Sequence, residues 1–481
     1  LTVDSSALLT IGDASTDVLT LSGAAVTFAG AGQKTINAGV SGTVALNQTT
    51  GTGPIIFMEN TAIAGGALDA NVTFDAMTLT TTAALALGDA NTDTVTLATG
   101  TVTWQGAGNI TVTSITNGAV GLSLDGTGTK TFATGAVVGG STPPTGLTQV
   151  DGSGLLTMNA NATIAGAIAL NADVTLSNMT LGGNNTITIG NAGADTFTVG
   201  AGGAVTINGG PTSVTVNAAT ALSNGLTISA GTGMISMTAG VTGAQSLTLS
   251  NSAATGTSTI GTSGTPLTSL TVDGGGTYTM NGNIYAEQIT VSDAAMLGAS
   301  ITIGDSTNGD PVNDIDFALT LGGAYDLSLA AVGEVRIQGN VTIGDGTGAS
   351  LIQGGSGTLE CGGTVTVAQG ISQTAAGGTV TFRDDVTVSG STTASDFQNS
   401  VVLDGLTFST PGTATFGASA LDLVTISTAT VIMTGAGAKT FNAVVSGTVG
   451  FNQVAGSGDI TFNEDVTAAG GNWYGNVTLS G

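Results

Sequence analysis

Histidine is absent from the 481 residues, and only five are lysine or arginine. Without histidine the commonest general base and the imidazole metal ligand are both missing. Ser/His/Asp and Cys/His nucleophile systems are excluded with it. Five cations against 31 carboxylates leave a formal net charge of −26. A polyanion of this kind repels nucleic-acid phosphate and anionic lipid head groups, so neither is expected as a partner. Cys361 is the single cysteine, which excludes an intrachain disulfide. A small buried apolar side chain is the expected role, with an intermolecular disulfide or reactive thiol as the alternative. No apolar run approaches the roughly 18 residues of a membrane span. No leader-like n- and h-region is present and the chain lacks a starting Met, so it is expected to be a processed product or an excerpt.

Aromatic residues are also few, at 13 Phe, 4 Tyr and 2 Trp. A core built mainly of Val, Ile, Leu, Ala and Thr is therefore expected, and its β-branched members favour strands. Charged residues make up 7% of the chain, against about 25% in an ordinary globular domain. Thr, Ser, Asn and Gly must then fill most exposed positions. The 78 glycines are more than twice the usual share of about 7%. Yet 41% of the residues are hydrophobic, enough to bury a core.

Short apolar/Thr/apolar runs recur from end to end: Val18-Leu19-Thr20-Leu21, Val26-Thr27-Phe28, Val72-Thr73-Phe74, Ile110-Thr111-Val112. Gly, Asn, Asp and Ser bound them, as turn residues bound strands. No stretch carries a 3.6-residue period with capping signals, so almost no helix is expected.

Internal repeats decide the architecture. Residues 12 to 73 reappear at a constant offset of 405: Gly12 with Gly417, Lys34 with Lys439, Ser41-Gly42-Thr43-Val44 with Ser446-Gly447-Thr448-Val449, and Asn71-Val72-Thr73 with Asn476-Val477-Thr478. Modules open at a glycine near 12, 88, 190, 304 and 417. From the opening glycine to the Gly-x-Gly-x-Lys-Thr motif is 18 residues in the first module (Gly12 to Gly30) and 38 in the second (Gly88 to Gly126). A 20-residue insertion that leaves both flanks in register is what one added solenoid coil would do. The pattern predicts an all-β chain, a right-handed parallel β-helix (β-solenoid) of about 20 coils, continuous over residues 1–481. With strands about 4.8 Å apart, the rod would be on the order of 100 Å long. A string of antiparallel β-sandwiches would want longer strands and aromatic anchors. Both ends fall inside a module without a polar cap, so a longer polypeptide or end-to-end stacking of protomers is expected.

Several coils follow Gly-x-Ile/Val/Tyr-x-Phe/Met/Ile, as in Gly378-Thr379-Val380-Thr381-Phe382 and Gly458-Asp459-Ile460-Thr461-Phe462. With Gly12-Asp13-Ala14-Ser15-Thr16-Asp17 and Gly88-Asp89-Ala90-Asn91-Thr92-Asp93, this resembles the giant repetitive surface proteins of bacteria and their filamentous-haemagglutinin-like or autotransporter passenger adhesins. The resemblance is one of repeat style over the whole chain. It implies an extracellular or cell-surface location and a structural or adhesive role, and it carries no site residues.

Candidate chemistry is sparse. Lys34, Lys130 and Lys439 share one place in the Gly-x-Gly-x-Lys-Thr repeat and are expected on a turn, reaching a carboxylate of the adjacent coil. Arg336 and Arg383 complete the cations, too scattered to grip an acidic polysaccharide. The spacing of a phosphate-binding loop is absent. Asp384-Asp385 and Glu464-Asp465 could serve a glycosidase, but adjacent residues on a strand point to opposite faces. Trp473-Tyr474 is the best sugar platform. Asp13 with Asp17, and Asp89 with Asp93, carry a spacing that could suit calcium. Turn acids satisfying backbone N–H groups explain them better, because the pair becomes Asn191/Asp195 and Ala418/Asp422 in later modules. Thr186-Ile187-Thr188 resembles the Thr-x-Thr runs of flat ice-binding faces but also fits plain strand. Sequons such as Asn71-Val72-Thr73 follow from composition alone. The Ser141-Thr142-Pro143-Pro144-Thr145 insertion is the one clear irregularity of the kind a binding module would use. No catalytic, cofactor-binding or metal residue is assigned and no cofactor is expected, calcium being the one candidate. The expected role is a non-catalytic component of an extracellular fibre, sheath or surface layer that self-associates. The alternative is an adhesin or phage tail-fibre segment that binds a host surface or glycan.

Overall fold

The structure, a computed structural model, describes residues 1–305 and 315–480. The turn that follows Gly304, where the fourth module opens, lies largely outside the described residues. The chain divides into two compact units, Leu1–Ala239 and Gly240–Gly481. Each is a stack of parallel coils, about 22 turns of β-solenoid in total, with about 49% strand and no helix among the described residues.

In the first unit a coil is three short strands joined by corners. Val26–Ala29, Lys34–Ile36 and Gly39–Gly42 form one such coil. Each strand pairs in parallel with its counterpart one coil away. Val26 lies beside Leu46, Lys34 beside Ile55, and Val40 beside Thr61. The result is three parallel sheets running the length of the unit. Antiparallel pairing among the described residues amounts to the isolated bridge between Thr262 and Thr265, which rules out the sandwich alternative.

The apolar/Thr/apolar triplets explain the packing. Successive strand residues face opposite ways, so the outer two enter the core and the threonine faces out. Ile110, Val112, Leu156 and Met158 are buried while Thr111 and Thr157 look outward. Burying each such apolar side chain contributes roughly 1.5–3 kcal/mol, and coils must stack to achieve it. Outward residues align into files. Thr111, Thr131, Thr157, Thr175 and Thr198 pair in succession along the first sheet.

The core is mainly Val, Ile, Leu and Ala, as expected, joined by the scarce aromatics. Most are inside, and they collect. Phe397, Phe416, Phe441 and Phe462 stack in one column with centroids 5.1, 4.7 and 5.0 Å apart. In the first unit Trp104 sits buried between Phe74 and Phe132, 6.2 Å from each. In-register parallel stacking places the same strand position of every coil in one column, so a few rings suffice to make a continuous pile.

The 20-residue insertion is one coil. In the first module two strands separate Gly12 from Lys34, Val18–Leu21 and Val26–Ala29. In the second, Ile110–Val112, Ile115–Asn117 and Gly121–Leu124 are added before Lys130, one strand for each sheet. A further relationship was not foreseen. Gly12 follows a strand of the second sheet, Gly88 one of the first, and Gly190 one of the third. The same turn therefore occupies three different corners of one unit.

Candidate functional site

The module-opening turn repeats closely in geometry. One carboxylate oxygen of Asp17 accepts the backbone N–H groups of Asp13 and Ala14 at 2.9 and 3.2 Å. Asp93 does the same with Asp89 and Ala90, Asp195 with Asn191 and Ala192, and Asp422 with Ala418 and Ser419. Those N–H donors hold the Asp17 carboxyl below its usual range. The constant element is the last aspartate closing its own turn, as the turn-acid reading requires; the first position is free to vary. Asp69 packs near Asp89 and Asp93, and burial together with those two charges pushes its carboxyl up. Among the described residues no group of three or more His, Cys, Asp or Glu side chains is arranged to hold a metal ion.

The lysines overturn the expectation placed on them. Lys34, Lys130 and Lys439 are buried and point into the solenoid, not toward a neighbouring carboxylate. The ammonium of Lys130 donates to the carbonyls of Asp125, Gly126 and Gly128, the latter two at 3.0 and 2.7 Å. Lys439 donates to Gly435 at 2.7 Å, and Lys34 to Gly30. Each lysine opens a strand, so it shares the inward parity of the apolar residue two places on. Its ammonium satisfies carbonyls of the Gly-x-Gly corner that turn inward. Burial lowers the affinity of all three for a proton, to a pKa of about 8 for Lys439. At matching corners a glutamine does the same work from the preceding strand. Gln48 donates to Gly53, Gln149 to Gly154 and Gln453 to Gly458, at 3.0, 3.0 and 2.8 Å.

Ion pairs among the described residues belong to the arginines. Arg383 holds Glu360 through two nitrogens at 2.9 and 3.0 Å and Asp404 through a third at 2.9 Å. Arg336 pairs with Glu334 at 3.2 Å. Arg383 therefore ties acids from coils below and above its own.

The paired acids also sit differently from expectation. Asp384-Asp385 and Glu464-Asp465 lie on corners between strands, where strand alternation does not apply. Asp385 accepts the N–H of Thr407 on the next coil at 2.7 Å, a structural task. Glu464, Asp465 and Trp473 line one hollow of about 410 Å³ together with Phe462 and Leu479. Trp473 stacks obliquely 5.9 Å from Phe462, and its indole N–H donates to the carbonyl of Phe451 at 3.0 Å. Tyr474 is exposed and does not line the hollow. Cys361 is buried, its thiol pushed up to about 12 by desolvation. Thr186 and Thr188 are plain strand-edge and outward strand residues. Asn71 spends its side-chain oxygen on the N–H of Thr94 at 2.9 Å.

The Ser141–Thr145 insertion has a setting that sequence reading could not supply. It forms a corner clamped on both sides. Gly118 donates to the carbonyl of Thr142 at 2.8 Å, Ser141 donates to the side chain of Asn117 at 3.1 Å, and Ala165 donates to the carbonyl of Pro144 at 2.8 Å. Pro143 forms one end of a groove of about 360 Å³ that runs across the following coils. Along the second sheet Thr163 pairs with Gly182, and Gly182 with Asn208. The outward file there reads Thr, Gly, Asn, and the coil without a side chain is a notch. Thr180 and Asn184 complete its polar wall, with Gly183 and Gly210 in its floor. No ionisable residue lines it.

No family model matches this chain, and neither a curated protein nor a solved structure matches it.

Proposed function

We propose that the protein is a non-catalytic structural component of an extracellular fibre, sheath or surface layer. The observation that carries this reading is the uniformity of the coil stack. The same three-strand coil is repeated through both units, and its outward files are uncharged Thr, Ser and Ala over long stretches. Side chains that could do chemistry are spent on structure. The lysines fill corner carbonyls, the turn aspartates close turns, and Arg383 bridges coils. The −26 charge keeps such a surface soluble outside the cell. Electron microscopy of the purified native material, with and without a calcium chelator, tests this. Long uniform filaments that survive chelation are the expected result. Isolated short particles would overturn self-assembly and favour the second reading, an adhesin or phage tail-fibre segment. The clamped Ser141–Thr145 corner beside its groove is the observation that favours that alternative.

A further inference from the structure

We propose that the groove beside the Ser141–Thr145 insertion is a binding site for a neutral oligosaccharide, with one pyranose ring seated in the notch at Gly182. Three observations carry this, and none depends on the fibre reading.

The first is shape. Thr163, Gly182 and Asn208 occupy one outward file on successive coils. Omitting the middle side chain opens a gap two strand spacings long, about 10 Å. That is the length of a sugar ring with its substituents. The cavity, at about 360 Å³, falls in the range of small-ligand sites.

The second is rigidity. Pro143 and Pro144 hold the rim, and hydrogen bonds from Gly118, Ser141 and Ala165 clamp it from both sides. A pre-formed rim avoids the ordering cost that weakens loop-borne sites.

The third is chemistry. The hydroxyls of Thr163 and Thr180 and the amide of Asn184 are exposed and spend no hydrogen bond on the protein. Asn208 uses only its oxygen, on the N–H of Gly210 at 3.0 Å, and keeps both amide donors. Pro143 and the glycines supply C–H surface between these groups. Alternating hydroxyl-matching groups and C–H surface suit a saccharide. The lining holds no cation to grip a phosphate or uronate, and the chain's net charge repels both. A peptide adding as a strand would need a free sheet edge, and the strands here are paired on both sides.

The test is saturation-transfer NMR on the full chain with cellotetraose, maltotetraose and N-acetylchitotetraose, and with trigalacturonate as the acidic control. Gly182→Val fills the notch without strain, because a Cβ there meets only the Ala162 carbonyl at 3.7 Å. Gly193→Val, on an open turn with nothing within 4 Å, is the control. At least one neutral saccharide should give transfer signals and trigalacturonate none. Gly182→Val should weaken binding about tenfold or more, the scale of a pocket that gains a methyl group or two. Gly193→Val should leave it unchanged. Absence of signal for all three neutral saccharides, equal binding of trigalacturonate, or binding indifferent to Gly182→Val in a folded variant would each overturn the proposal.

Discussion

The side-chain amide of Asn217 donates to the carbonyl of Gly190, one coil away, at 3.2 Å. Asn37 and Gly12 are joined in the same way at 3.2 Å, and Asn442 and Gly417 at 3.3 Å. The module-opening glycine is thus read by the coil above it. Gly190 has φ +75°, and a Cβ there would lie 2.7 Å from that of Ala218. Gly190→Ala should therefore cost at least about 2 kcal/mol, combining left-handed strain with overpacking. Urea unfolding would measure it. Adding Ala218→Gly should recover only a small part, because the Ala218 backbone nitrogen lies closer still, at 2.6 Å, and stays in place.

Phe441 lies between Phe416 and Phe462, and its column has no aliphatic spacer. Phe441→Ala should cost about 3–5 kcal/mol, as large-to-small core changes do. Hydrogen exchange should show faster opening in the second unit, centred on the flanking strands Ala414–Phe416 and Ile460–Phe462. Uniform exchange throughout that unit would show that the ring column does not set local stability.

Lys439 predicts a pH dependence with a definite sign. Its pKa is about 8 in the folded chain and near 10.5 when exposed. Between these values the unfolded state binds more protons, so the lysine's contribution to stability rises with pH from about 8 to 10.5. The Cys361 thiol opposes it, because its folded pKa of about 12 lies above its exposed value. Stability from Cys361 falls as pH rises above about 9. The difference in unfolding free energy between the wild type and Lys439→Met cancels the thiol, and that difference should climb across the window. A flat difference would mean that the ammonium is not buried as described.

Cys361 itself should be silent in the native state. A thiol reagent at pH 8 should label it only after denaturant is added, since the thiolate is the reactive form. Rapid native labelling, or a dimer on non-reducing gels, would restore the intermolecular disulfide.

Removing residues 107–126 should delete one coil and nothing else. Gly106 would then meet Thr127, recreating the Gly-x-Gly-x-Lys corner of the first module. Circular dichroism should keep its strand signal and unfolding should stay cooperative. Deleting only residues 107–116 would remove a fraction of a coil and break the register of the strands that follow. That protein should lose cooperativity.

Much of this architecture was legible because a solenoid writes its period into the chain. Short Thr-centred triplets, corner glycines and the 20-residue step all translate directly into strands, corners and one added coil. The lysines depart from the expectation for a local reason. Their neighbours Gly-x-Gly suggested a turn, yet Lys34-Thr35-Ile36 already alternates like a strand, and that parity sends Lys34 inward. The acid pairs are the opposite case: Asp384-Asp385 and Glu464-Asp465 sit on corners, where strand alternation does not hold. The groove could not be read at all. Thr163, Gly182 and Asn208 are distant in sequence, and only the register of three coils makes the missing side chain of Gly182 a space.

In the first unit the turn led by Gly12, Gly88 or Gly190 points from a different corner each time. Sequence repeat and coil therefore run like two gears with unequal teeth. Chemistry tied to the repeat is dealt around the circumference, while chemistry tied to coil position lines up along one side. A chain that grows by whole coils keeps the aim of everything downstream. One that gains a single strand and its corner turns the rest by a third of a revolution.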